Sequence, residues 1–172
     1  IIDISDPTNI VAKDAETDGE NGFTELEGAY DVDTFTIDSS TYAIVTSEDD
    51  NGVQIIDISD PTDIVAKDSV TDGADGFDEL EGAFGVETFT IDSSTYAIVV
   101  SDDDDGVQII DISDPENIVA TDAVIDAGPT GTLSSARDVA TFTIDSSTYA
   151  IVAAQAADSV GGVKIFDISD PT

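Results

Sequence analysis

Apolar and polar positions alternate along this chain in short runs rich in Ile, Val, Thr, Tyr and Phe, separated by clusters of Asp, Ser, Gly and Pro. That period of two is strand patterning, and the clusters between the runs have turn chemistry. The pattern is also self-similar. IIDISDPT stands at 1–8 and 55–62, IIDISDPE at 109–116 and IFDISDPT at 165–172, giving spacings of 54, 54 and 56 residues. TFTIDSSTYAIV recurs at 34–45, 88–99 and 141–152, about halfway between copies of the first block. Two interleaved blocks therefore form one structural unit.

Four strands fit each unit, and in the first full copy they are 32–37, 42–46, 53–58 and a short outer strand at 64–67. The turn at Asp38-Ser39-Ser40 is hairpin-short, and Pro61 ends the third strand because it lacks the N–H that a continuing ladder needs. The unit is thus a four-stranded antiparallel meander. In its third strand Val53 and Ile55 point one way while Ile56 and Ile58 point the other, so both faces are apolar. A sheet buried on both faces needs neighbours on both sides. Similar sheets stacked around an axis supply them, which predicts an all-β fold of β-propeller blades.

The run AFGVETFTIDSSTYAIVVSDDDDGVQIIDISDPENIV at 83–119 resembles the LVIVD-repeat family. The family's unit runs from a small-residue turn through a strand, a Tyr-containing strand and a G-hydrophobic-x-hydrophobic-[IV]-D-[IV]-S-[DN]-P strand to a short outer strand. The resemblance covers each repeat and hence nearly the whole chain, apart from acidic insertions at 15–28 and 69–82. It implies propeller blades, commonly in surface or secreted proteins of bacteria and archaea, and no shared catalytic residues.

By this reading 1–16 holds the third and fourth strands of one blade, 29–70 and 83–124 are full blades, and 137–172 holds the first three strands of another. Propellers usually have four to eight blades. The chain is therefore expected to be one incomplete repeat domain of about three repeats, a segment of a larger propeller or repeat assembly. Ile1 and Thr172 both fall beside copies of the motif and read as cuts.

Composition narrows the function. There are 39 acidic residues, 30 Asp and nine Glu, against four Lys or Arg, for a net charge of −35 in 172 residues, while 40% of residues are hydrophobic. So acidic a chain cannot gain by counterion release from nucleic acid or from an anionic lipid surface, so neither partner is expected. No apolar run approaches the ~18 residues of a membrane span, and no membrane insertion is expected. His, Cys, Met and Trp are absent, which excludes Ser-His-Asp and Cys-His catalysis, disulfides, and thiolate or imidazole metal sites. Paired carboxylates could still serve glycoside hydrolysis. Against that, aromatics make up 6% of the chain, and the acids recur from unit to unit as surface features do, so the chain is expected not to be an enzyme.

Oxygen ligands for a hard cation remain. In 14–25, Asp14, Glu16, Asp18 and Glu25 occupy positions 1, 3, 5 and 12 with Gly19 at position 6, the spacing of an EF-hand loop, although Asn21 stands at the usually apolar position 8. The second copy keeps Asp68, Asp72, Gly73 and Glu79 but has Val70 at position 3, and the third, 122–133, lacks the pattern. A second acidic set is the hairpin tip holding Asp49 and Asp50, repeated with Asp103 and Asp104 and lost at 155–159. These residues are the candidate Ca2+ ligands, against the alternative that they are Gly-rich turns of a salt-adapted protein. The Phe23-x-Glu25-Leu26 segment is expected to form a short helical turn pinned by its aromatic ring, as is Phe77-x-Glu79-Leu80.

Such acidity needs cations from outside, through marine or hypersaline ionic strength or through bound calcium. The expected function is a non-enzymatic extracellular or cell-surface scaffold whose acidic loops serve adhesion or assembly, with protein partners or self-association through blade faces and edges. The alternative is a propeller binding module holding a small ligand or protein at its axial mouth.

Overall fold

A computed structural model describes residues 1–125, 133–155 and 161–171. Thirteen strands are formed and no helix among these residues. A hairpin of β1 (Ile2–Asp3) and β2 (Val11–Ala12) precedes two four-stranded sheets: β3 (Ala29–Ile37), β4 (Ser40–Ser47), β5 (Gly52–Asp57) and β6 (Val65–Thr71), then β7 (Ala83–Ile91), β8 (Ser94–Ser101), β9 (Gly106–Asp111) and β10 (Val119–Ile125). A three-stranded sheet follows: β11 (Ala136–Ile144), β12 (Ser147–Ala154) and β13 (Gly162–Asp167). Each sheet is an antiparallel meander in chain order. The fold is all-β, built of propeller-type blades as the repeat pattern predicts.

The two-residue turns after β3, β7 and β11 place Asp38, Asp92 and Asp145 at φ near +55°, a conformation that Asp tolerates better than most residues. Their registers bring Phe35 opposite Tyr42, Phe89 opposite Tyr96 and Phe142 opposite Tyr149, with ring centroids 5.4, 5.5 and 5.6 Å apart.

Faces of successive sheets form the core. Phe35, Ile44, Val53 and Ile55 of the first sheet pack on Val86, Ala97, Val99 and Ile110 of the second. Ile98, Val100, Val107 and Ile109 from the second sheet's opposite face pack on Val139, Ala150 and Val152 of the third. The first strands of neighbouring sheets lie against each other, β3 on β7 and β7 on β11. Carboxylates join them: Asp31 Oδ2 accepts Val86 N–H at 3.0 Å, and Asp33 Oδ2 accepts from Thr88 N and Oγ1 at 2.7 and 2.6 Å. Gly85 lets the next sheet approach, since a Cβ there would meet the Arg137 carbonyl at 2.8 Å and Asp138 Cα at 3.1 Å.

Two local expectations are corrected. The outer strand is longer than 64–67, because a bulge sets Lys67 and Asp68 opposite Ile55 and lets pairing resume through Thr71. The Phe23 and Phe77 segments form no helical turn. Positive φ at Gly19, Asn21 and Gly22, and at Gly73, Asp75 and Gly76, bends each loop into a tight turn closed by the bridges Glu20–Phe23 and Ala74–Phe77. Both rings are nonetheless buried, Phe23 with Ala43 and Ile56 on the first sheet and Phe77 in the core between the first two sheets.

Candidate cation site

The loop from β2 to β3 crosses the end of the first sheet, where Gln54 holds it. The Gln54 carbonyl oxygen accepts Thr24 N–H at 3.1 Å, while its amide donates to the carbonyls of Ile55 and Asp68 at 3.2 and 3.0 Å. Pinned there, the loop meets the β4–β5 tip: Asp50 Oδ2 accepts Glu27 N–H at 2.7 Å and Asp18 Oδ1 accepts Leu26 N–H at 3.1 Å. Asp18, Glu27 and Asp50 thereby each offer a carboxylate oxygen, all within 4.8 Å of one another. That span fits around one calcium ion, whose bonds to oxygen are about 2.3–2.6 Å.

Glu25, in the same loop, is 8% exposed. Its Oε1 accepts a hydrogen bond from Thr71 Oγ1 at 2.7 Å, whereas its buried Oε2 has no hydrogen-bond partner among the described residues. Burial is the main force raising its pKa; the Thr71 bond opposes this, and the charges of Asp50 and Asp18 add to the rise.

The second sheet repeats these hydrogen bonds 54 residues on, although among the described residues only Asp18, Glu27 and Asp50 bring three carboxylate oxygens within 4.8 Å of one another. Gln108 holds the Asp78 N–H and the carbonyls of Ile109 and Asp122, Asp104 Oδ2 accepts Glu81 N–H at 2.7 Å, and Asp72 Oδ1 accepts Leu80 N–H at 2.9 Å. Glu79 is 2% exposed with Oε2 unpartnered. Ile125 stands where the first sheet has Thr71, so no equivalent hydroxyl serves Glu79. Burial, followed by the charges of Asp104, Asp72 and Asp78, pushes its pKa up to about 7. Burial and the neighbouring Asp72, Glu81 and Asp103 also raise Asp104, against the bond from Glu81 N–H.

The twelve-residue spacing is divided by the fold. Asp14 lies elsewhere: its Oδ1 accepts Ala15 N–H and its Oδ2 accepts Ile64 N–H at 2.8 Å, and Asp68 does the same for Ser69 and Ile118. Glu16 accepts a bond from the Asn21 amide inside the loop. Asp49 and Asp103 pack against Gly28 and Gly82, with their N–H groups 3.3 Å from the carbonyls of Glu27 and Glu81. The fold instead joins Asp18 and Glu25 to Asp50, and Asp72 and Glu79 to Asp104, from loops that the sequence reading kept apart. Glu27 and Glu81 were missed, although ELEG repeats at 25–28 and 79–82. Most of the third tip (156–160) and the segment 126–132 of the third connection lie outside the described residues.

The fold and its repeated loops define a protein of β-propeller blades. Residues 1–15, 39–72 and 93–122 match the LVIVD repeat. No curated protein matches the chain. Among solved structures, an exo-β-1,3-galactanase from Phanerochaete chrysosporium is similar at 12% identity and TM-score 0.61, over 88% of this chain and 35% of that one. A thermostable family-43 glycoside hydrolase follows at 14% and 0.60, over 84% and 49%, and an α-L-arabinofuranosidase from Lactobacillus brevis at 14% and 0.56, over 84% and 50%. The chain thus spans half or less of the length of these structures. At such identity the likeness is one of fold.

Proposed function

We propose that the chain is a non-enzymatic repeat scaffold of the cell surface or extracellular space, whose acidic loops bind calcium and whose blade faces serve adhesion or assembly. The observation that carries this reading is the recurrence of one acidic arrangement, Asp-Glu-Glu-Asp around a loop and a tip, in two successive sheets. A repeated site suits a stiffened array; catalysis needs one shaped pocket. The glycoside hydrolase neighbours share the architecture, but without Trp and with few aromatics this chain is poorly supplied with sugar-stacking platforms. A net charge of −35 calls for external cations, and calcium is abundant outside cells. The faces available for partners include β13, where Val163 and Ile165 are 64% and 57% exposed although their counterparts Val53 and Ile55 are buried between sheets.

Thermal unfolding in high sodium, EGTA, millimolar magnesium and millimolar calcium tests the reading. Ligand binding to the folded state raises the melting temperature, and the expected result is a rise with calcium well beyond that with magnesium. If sodium alone restores stability and calcium adds nothing to magnesium, the loops are salt-adapted turns.

A further inference from the structure

We infer that each of the first two four-stranded sheets carries one divalent-cation site assembled from two loops distant in sequence and completed by a buried glutamate. In the first sheet the ligands are Asp18, Glu27 and Asp50 together with Glu25. In the second they are Asp72, Glu81 and Asp104 together with Glu79. The inference rests on the calcium-binding reading but assigns the ions to particular carboxylates and fixes their number.

The acidic clusters alone would be unremarkable in so acidic a chain. What marks them is the orphan oxygen that accompanies each: Glu25 and Glu79 are more than nine-tenths buried, and the Oε2 atom of each is unpartnered. A buried carboxylate without a partner is costly, and this one recurs at the same place in two sheets. Each orphan sits against the first residue of the strand that leaves its tip. Oε2 of Glu25 fills the space where a Cβ on Gly52 would stand, two residues beyond Asp50, and Oε2 of Glu79 fills that at Gly106, two beyond Asp104. The charges that act on Glu25 are those of Asp50 and Asp18, and those acting on Glu79 include Asp104 and Asp72. A cation between tip and loop relieves the repulsion among the carboxylates of a set. Irregular coordination by several carboxylates from flexible loops suits calcium, whereas magnesium demands near-octahedral geometry at about 2.0–2.1 Å and retains its waters.

The test is calorimetric titration of the full chain, freed of metal with EGTA and dialysed, using calcium chloride and then magnesium chloride. Two equivalents of calcium are expected, with magnesium about ten-fold weaker or more. Glu25→Gln and Glu79→Gln each lose one equivalent and the double variant loses both, while Glu16→Gln and Glu48→Gln keep two. The isosteric amides remove an unpaired buried charge, so unchanged or higher melting temperatures without metal verify folding. Calcium stabilisation with both equivalents retained in E25Q and E79Q overturns the ligand assignment and leaves the proposed function standing. One equivalent, lost in E25Q and indifferent to E79Q, overturns the second site. No calcium binding by the wild-type chain overturns both readings.

Discussion

Glu79 shows what a single buried side chain can impose. Its folded-state pKa of about 7 lies above its ordinary value of 4.5, so the folded chain prefers it protonated. The stability gained from that proton is fully present below the unfolded pKa and is lost as pH rises through the folded one. In EGTA, melting temperature is therefore expected to fall between about pH 5 and pH 8, and E79Q should flatten that slope; an unchanged slope would show that other groups govern it. Gly52 and Gly106 give a second contrast. A Cβ at Gly106 would meet chiefly Glu79 atoms, whereas one at Gly52 would also strike the Val70 carbonyl. Gly106→Ala is expected to cost about 2 kcal/mol in urea unfolding, with Glu79→Ala restoring most of it, while Gly52→Ala should resist rescue by Glu25→Ala. The acidic residues were legible in the sequence as candidate ligands. Their grouping was not, because a contiguous spacing template cannot join Asp18 to Asp50, and Glu27 stood two places past its end.

At the level of elements, strand patterning placed the inner three strands of each sheet, since period-two apolar runs and short turns are local signals. The outer strand was underestimated because its second half, Ser69-Val70-Thr71, pairs only after the bulge at Lys67 and Asp68, and a bulge leaves no periodic trace. The polar device at that irregularity, Gln54, also looked unremarkable, being a lone amide in an apolar run. Buried, it ties β5, the bulge carbonyl and the crossing loop together. Gln54→Leu and Gln108→Leu each leave backbone groups without partners and are expected to destabilise by about 2–3 kcal/mol in denaturant titrations. They should also weaken calcium binding at the sheet concerned, because the loop loses its anchor. A substitution that proves neutral in both assays would mean that the loop is held by Phe23 or Phe77 alone.

Across the whole molecule, stacked sheets follow from residues with apolar side chains on both faces, and this was the most legible level because the repeat prints it several times. Position in the stack then decides what an identical side chain is worth. Val107 lies buried between the second and third sheets, whereas its counterpart Val163 is exposed. Val107→Asp is expected to cost about 3 kcal/mol or more in equilibrium unfolding, while Val163→Asp should stay within about 0.5 kcal/mol. A large loss from Val163→Asp in a dilute monomer would mean that this face is covered within the chain. The first strands carry a subtler form of order. Asp31, Gly85 and Asp138 hold one position in successive sheets; Asp31 and Asp138 each accept the following residue's own N–H, Asp31 also clasps the second sheet, and Gly85 leaves room for the third. The repeats are therefore not interchangeable bricks. A tandem of first units would set aspartate beside aspartate, and a tandem of second units would set glycine beside glycine with no clasp. The two seams are thus joined differently, the first clasped by Asp31 and the second closed over Gly85, so that shuffling units in such an array is expected to change its joints.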